Sequence, residues 1–349
     1  VARGGIVTYD FESDNRLDPR IKAMLSMLPD AEVTDADSRE QLLAEAASPE
    51  GVADNEMVVG FMNMGDNEEA APSQGLRFAT EDIVSSPDGN SIKVQVIRPD
   101  NDETLACVYY IHGGGMESLS SFLGNYRAWG RIIASKGVVV VMVEFRNSVV
   151  ASAVPEVAPF PAGLNDCVSG FKWTVANAWK YGIDPARIIV SGESGGGNLT
   201  LATGMKLMRD GDVGLVKGLY ALCPYIAGLW PDDRYPSSVE NNGILLNLHS
   251  NRGAMSYGIE AFEAGDPLAW PGFATKDDVS GLPPTVISVN ECDPLRDEGI
   301  AFYRLLLSAG VAARGRTVLG TSHGTEIFPP LCPEISHSTA QDIAAFAMS

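Results

Sequence analysis

Apolar residues along this chain fall into short runs that alternate between two spacings from about residue 77 onward. The run Val138 to Val143 is uninterrupted, as a strand covered on both faces requires. Comparable runs predict strands at 77–85, 91–98, 106–111, 138–145, 187–191, 218–223, 285–290 and 315–319. Between Gly163 and Tyr181 the spacing changes. Leu164, Cys167, Val168, Phe171 and Val175 recur at steps of three and four, which predicts a helix with one buried face. Strands alternating with helices predict an α/β fold around a largely parallel sheet. The turn chemistry of Pro87-Asp88-Gly89-Asn90 predicts that the sheet begins with an antiparallel hairpin.

Two segments break the alternation: the acidic stretch 1–74, and 225–281, which is rich in Trp, Asn, Gly and Pro. We assign 75–349 to a catalytic domain, with 1–74 as an N-terminal cap segment and 225–281 as an inserted cap segment. Ordinary loops and an N-terminal arm are the alternative.

Composition narrows the class. With 45% apolar residues, 36 Gly and 21 Pro, the chain of 349 residues reads as globular, with one large core and many tight turns. A net charge of −20 with no basic stripe argues against nucleic acid as a partner. The longest apolar run is far short of the roughly 20 residues that span a bilayer, so no integral membrane segment is expected. Residues 1–10 lack the pattern of a secretory signal, and a cytoplasmic location is the expectation. The five cysteines are scattered without metal-ligand spacing, which predicts neither a disulfide framework nor a zinc site.

The chemistry concentrates at two glycine-rich corners. Gly192-Glu193-Ser194-Gly195-Gly196 fits the G-x-S-x-G nucleophile elbow and stands between a short β run and a helical run over 197–208. Small neighbours let the chain turn sharply there, so that the Ser194 hydroxyl projects above the sheet. Alone, so short a motif is also compatible with a simple turn and helix cap. His112-Gly113-Gly114-Gly115 follows the strand at 106–111 and has the form of an oxyanion loop. Acyl transfer develops negative charge on a tetrahedral oxygen, and one backbone donor there can contribute about 2.7–4 kcal/mol. Gly114, Gly115 and Gly195 are the candidate donors, with His112 orienting the loop.

A serine hydroxyl needs a base. If the base lies downstream, the candidates are His249, His323 and His337; His323 is favoured because its loop, 320–324, follows the last predicted strand. The orienting carboxylate should end the preceding strand. Asp293 is favoured over Glu291, Asp297 and Glu298, because Pro294 fixes a turn immediately after it.

At this point the chain resembles the hormone-sensitive lipase-like family of α/β-hydrolases, from about Val94 to the C-terminus. The likeness rests on His112-Gly113-Gly114-Gly115-Met116, on the GESGGGN run 192–198, on Asp293-Pro294-Leu295-Arg296-Asp297 and on Pro159-Phe160-Pro161-Ala162. It implies an α/β-hydrolase fold with an eight-stranded, mostly parallel sheet and a cap. It also implies Ser194 as nucleophile, His323 as base, Asp293 as its orienting acid, and Gly114 and Gly115 as oxyanion donors. Three departures stand out. Glu144 replaces an Asp, Glu193 and Gly195 replace Asp and Ala beside the nucleophile, and Thr325 stands where an aromatic residue usually follows the histidine loop.

The implied activity is hydrolysis of short to medium acyl esters through an acyl-enzyme, with a small-molecule ester as partner and no metal or organic cofactor. By the same resemblance Met116, Phe122, Tyr225, Leu229 and Trp230 are candidates to line the substrate pocket. An amidase or thioesterase would use the same residues, and a non-catalytic small-molecule receptor could share the fold. A homodimer is compatible with a soluble enzyme of this size.

Overall fold

The computed structural model describes residues 5–6, 9–10, 13–27 and 32–349; the remainder of the expected N-terminal cap segment lies outside the described residues. The eight expected strands are present as β1 Leu76–Val84, β2 Ser91–Pro99, β3 Leu105–Ile111, β4 Val139–Glu144, β5 Ile183–Glu193, β6 Gly218–Leu222, β7 Thr285–Asn290 and β8 Ala313–Val318. They form one sheet in the order β8-β7-β6-β5-β3-β4-β2-β1. β2 runs antiparallel to β1 and to β4, and all other pairs are parallel. The hairpin closes through Ser85 and Asn90, with Gly89 at φ +75°.

β3 and β4 have almost no polar side chains because both faces of the sheet are covered. Successive residues alternate between two cores. Val108, Tyr110, Val140 and Met142 pack beneath the helices Gly124–Ala134 and Pro333–Met348. Cys107, Tyr109, Ile111, Val139 and Val141 face the helices Ala162–Ala176, Gly195–Arg209 and Arg296–Ser308. The helix expected through Tyr181 ends at Ala176, and a 3₁₀ turn, Ala178–Tyr181, follows before left-handed Gly182. The Asp184-Pro185 turn lies inside β5 as an irregularity: Leu105 pairs with Ile183, but Cys107 pairs with Ile188.

The chain crosses from β3 outward to β4 and then returns to place β5 on the other side of β3. The carboxyl ends of β3 and β5 therefore meet at a topological switch point, where open α/β sheets leave a crevice. Helices Pro19–Leu25 and Arg39–Ala46 pack against the segment that follows β6, and helix Pro49–Asn63 packs against helix Gly124–Ala134. Ile21, Met24 and Leu25 share a core with Ile244, and Asn251 accepts from the Ala36 N–H through its Oδ1 at 2.8 Å. Among the described residues no helix is long and apolar enough to cross a membrane.

Candidate active site

β5 ends at Glu193 and helix Gly195–Arg209 begins one residue after Ser194, earlier than the expected start at 197. Ser194 alone makes the corner, at φ 57° and ψ −121°. A non-glycine residue there costs about 1–3 kcal/mol, and strain of that kind clusters at functional sites. Its neighbours hold it: the Ser194 N–H donates to Leu222 O at 3.0 Å, and the Tyr225 N–H donates to Ser194 O at 3.1 Å. A Cβ on Gly196 would lie 2.0 Å from Ile111 O, so only glycine lets the helix start press this closely onto β3.

The glycine loop after β3 sits against this corner. The Gly113 N–H donates to Glu193 Oε1 at 2.6 Å and to the Tyr126 hydroxyl at 3.0 Å, and the Tyr126 hydroxyl donates to the same Oε1 at 2.6 Å. The Tyr110 hydroxyl donates to Glu193 Oε2. Glu193 thus joins the elbow to the loop through three donors. Burial pushes its carboxyl up to about 7, against the opposing effect of those donors. The N–H groups of Gly114, Gly115 and Gly195 have no protein acceptor among the described residues. Gly195 begins its helix, so its N–H has no intrahelical partner and adds the positive end of the helix dipole.

His112 turns away from this space. Its Nδ1–H donates to Gly113 O at 2.9 Å, and its ring stacks on Phe145 at 4.3 Å. Burial lowers its pKa, so it holds the loop as a neutral ring. Glu144, the residue in place of Asp, accepts from the Ser121 N–H and hydroxyl, both at 2.7 Å, and from the Ala153 N–H at 3.0 Å.

His323 faces the elbow from the loop after β8. Its Nδ1–H donates to Asp293 Oδ2 at 2.8 Å, and the Leu295 N–H donates to Asp293 Oδ1 at 2.8 Å. Burial works to lower the imidazole pKa, but the Asp293 charge and the neighbouring Cys223 outweigh it and raise the pKa well above its ordinary value. The competing residues are engaged elsewhere. His249 Nε2 bonds Ser238 O at 2.8 Å, and His337 Nδ1 lies 3.2 Å from Lys136 Nζ. Glu291 accepts from the Gly320 N–H, and Asp297 accepts from the Ser237 N–H. Glu298 accepts from the Ile226 and Ala227 N–H groups and from Trp230 Nε1.

Cys223, one of the five cysteines scattered without metal-ligand spacing, lies beside this pair. Potential ligand atoms of Cys223, Asp293 and His323 all fall within 4.8 Å of one another, a donor set able to hold a thiophilic cation that residue spacing along the chain could not reveal. A second such group is Asp18, Cys332 and Glu334.

Ser194 and His323 open into a cavity of about 280 Å³ whose lining also includes Gly114, Gly115, Tyr126 and Glu193. Its walls are Met62, Leu119, Tyr225, Leu245, Leu246, Leu248, Ile327 and Phe328. Of the five expected substrate neighbours, Tyr225 lines the cavity. Met116, Phe122, Leu229 and Trp230 are not among its lining residues. Trp230 is buried, stacked on Tyr225 at 4.6 Å and bonded to Glu298, while Met116 is 1% exposed at φ 58° beside the glycine loop. No sequence signal distinguished Met62 or the leucines at 245, 246 and 248, which long-range packing brings to the site.

A family model described as alpha/beta hydrolase fold matches residues 108–327. Among solved structures, esterase Est22 is 62% identical, with a TM-score of 0.94, covering 97% of this chain and 99% of that one. Brefeldin A esterase, a bacterial homologue of human hormone-sensitive lipase, is 34% identical with a TM-score of 0.85, covering 97% of this chain and 94% of its own. Carboxylesterase NlhH of Mycobacterium tuberculosis is 31% identical over 250 residues, covering 70% of this chain and 73% of the relative.

Proposed function

The chain belongs to the α/β-hydrolase fold family as a serine ester hydrolase, and from that premise we propose that it cleaves carboxylic esters through an acyl-enzyme on Ser194. The observation that carries the reading is the 2.8 Å bond from His323 to Asp293 at a cavity that Ser194 also lines. Asp293 occupies Nδ1 and so leaves Nε2 to take the Ser194 proton during attack on the ester carbonyl. The developing oxyanion is received by the N–H groups of Gly114, Gly115 and Gly195, which have no competing protein acceptor among the described residues. The imidazolium then protonates the leaving alkoxide, and water, activated by the same base, releases the acid.

The substrate is a small ester with a short to medium acyl chain. A mostly apolar cavity of about 280 Å³ beside the reacting groups supports that size class, and a structure of the similar esterase Est22 holds p-nitrophenol. The described residues of 1–74, with 225–281, form the cap over the catalytic domain 75–349, a reading supported by the packing of Ile21 and Met24 with Ile244 and by Met62 on the cavity wall. Five buried cysteines, none in a disulfide, support a cytoplasmic location.

Hydrolysis of a p-nitrophenyl series from acetate to palmitate by wild type and folded Ser194→Ala tests the reading. Turnover of short esters that vanishes in the variant is expected. Undiminished turnover by Ser194→Ala would remove Ser194 from the mechanism, and no turnover of any ester by folded wild type would remove ester hydrolysis itself.

A further inference from the structure

A second apolar pocket, of about 420 Å³, lies on the other side of Phe328 from the cavity that holds Ser194 and His323. Ala23, Met24, Met27, Phe61 and Met64 line it, and Phe328 is the side chain common to both spaces. Phe61 packs against Phe328 with ring centroids 5.6 Å apart. One turn of the same helix thus sends Met62 into the catalytic cavity and Phe61 into the second pocket. Phe328 lines both spaces and is itself half-buried.

The second pocket has the chemistry of an aliphatic site. Met27 and Met64 are 78% and 69% exposed, so apolar surface remains there for a ligand to cover. Methionine walls adapt to chains of variable length, because the thioether side chain is unbranched and polarizable. Arg20 stands at the rim, but its charge is already engaged by Asp18 and Glu334, so the pocket presents no free anion site there. The catalytic cavity alone is at the lower limit for ligand pockets, and the added space would admit a much longer substrate.

We propose that the second pocket receives the unbranched aliphatic tail of an ester whose carbonyl sits at Ser194, and that Phe328 sets the tail length the enzyme accepts. The inference rests on the ester hydrolase reading. Phe328 acts by blocking or admitting methylenes, not by touching the reacting atoms. Opening the partition should therefore raise kcat/KM for long tails relative to acetate.

The test uses the full chain and two substrate series: p-nitrophenyl esters from acetate to decanoate, which lengthen the acyl end, and acetates of ethanol to decanol, which lengthen the alkyl end. Phe328→Ala opens the partition, Phe328→Leu does so more conservatively, and Ala23→Trp fills the far pocket from an exposed helix position. Phe328→Ala is expected to raise kcat/KM for long over short tails in at least one series, by up to about fourfold for each methylene that passes the partition. The series that responds identifies which end of the ester enters. Adding Ala23→Trp should return the ratio toward wild type and leave acetate turnover within twofold. Equal changes for short and long tails in both series, or a ratio indifferent to Ala23→Trp, would overturn the proposal. Acetate turnover that depends on Ser194 would persist in that case, so failure of the tail pocket is distinguishable from failure of the ester hydrolase reading.

Discussion

At the floor of the cavity Glu193 accepts from Tyr110, Tyr126 and Gly113, Asp293 accepts from His323 and Leu295, and Ser194 is held between Leu222 and Tyr225. The walls are built differently, from Met62, Leu119, Leu245, Leu246, Leu248, Ile327 and Phe328, whose side chains carry no strong hydrogen-bonding group. A directed bond fixes where an atom sits to within tenths of an ångström, whereas apolar packing fixes mainly how much space is left. The floor should therefore govern how fast any ester reacts, and the walls which ester reacts.

The largest expected effect that would sharpen this division comes from the floor. Asp293→Asn should lower kcat by about 10⁴-fold for short and long esters alike, because the imidazole loses the partner that fixes its tautomer. The Asp293 charge raises the His323 pKa, so its removal stabilises the neutral ring. The acid limb of a kcat/KM profile should accordingly move to lower pH, and a limb unmoved in Asp293→Asn would detach the limb from His323.

Gly114→Ala comes next. Gly114 has φ +90°, and a Cβ there would lie 2.3 Å from Ser118 O, so the loop must shift and carry its N–H away from the proposed oxyanion position. A fall in kcat of about 10²–10³ with KM nearly constant is expected from steady-state kinetics. A change confined to KM would place Gly114 in ground-state binding instead.

Glu193→Gln should cost less than about tenfold in kcat, because the amide oxygen can still accept from Gly113 and Tyr126 while the Tyr110 hydroxyl turns to accept from the amide nitrogen. Its clearer readout is stability. The wild-type carboxyl is raised from 4.5 to about 7, so the folded state holds the proton more tightly than the unfolded state. Its contribution is fully present below about pH 4.5 and is lost as pH rises through about 7. Urea unfolding across that window should show a downward slope in wild type that flattens in Glu193→Gln.

The smallest effect belongs to the wall. Leu246→Ala should change the ratio of long-chain to short-chain kcat/KM by a few fold, in line with the loss of buried methylenes, and leave kcat for acetate near wild type. A uniform fall across the ester series would break the division between floor and walls.

The same contrast explains what the sequence made legible. The strands were readable because burial on both faces leaves continuous apolar runs such as Val139 to Val143, and the hairpin because Gly89 must adopt a positive φ. Helix ends were less readable. Ser194 can start a helix at Gly195 only because the strained corner is held by Leu222 and Tyr225 from neighbouring parts of the fold. At the site, Ser194, Asp293, His323 and the glycines were nominated by motifs, since close backbone approach and directed bonds allow few residue types. The three donors to Glu193 could not be read from its place in the motif. Wall residues had no such signature: Leu245 and Phe328 resemble any other core residue until packing brings them together. Trp230 was a reasonable aromatic candidate, but its indole N–H is taken by Glu298, and it supports Tyr225 from behind.

The acyl-enzyme itself tests the central claim most directly. Rapid mixing of enzyme with excess p-nitrophenyl acetate, followed by acid quench and mass mapping of the peptides, should reveal an acetyl group on the peptide carrying Ser194. The label should appear at up to one per chain and be absent from Ser194→Ala. Steady turnover with the acetyl group on Cys223 or another residue, or labelling of Ser194→Ala to the same extent, would contradict the account.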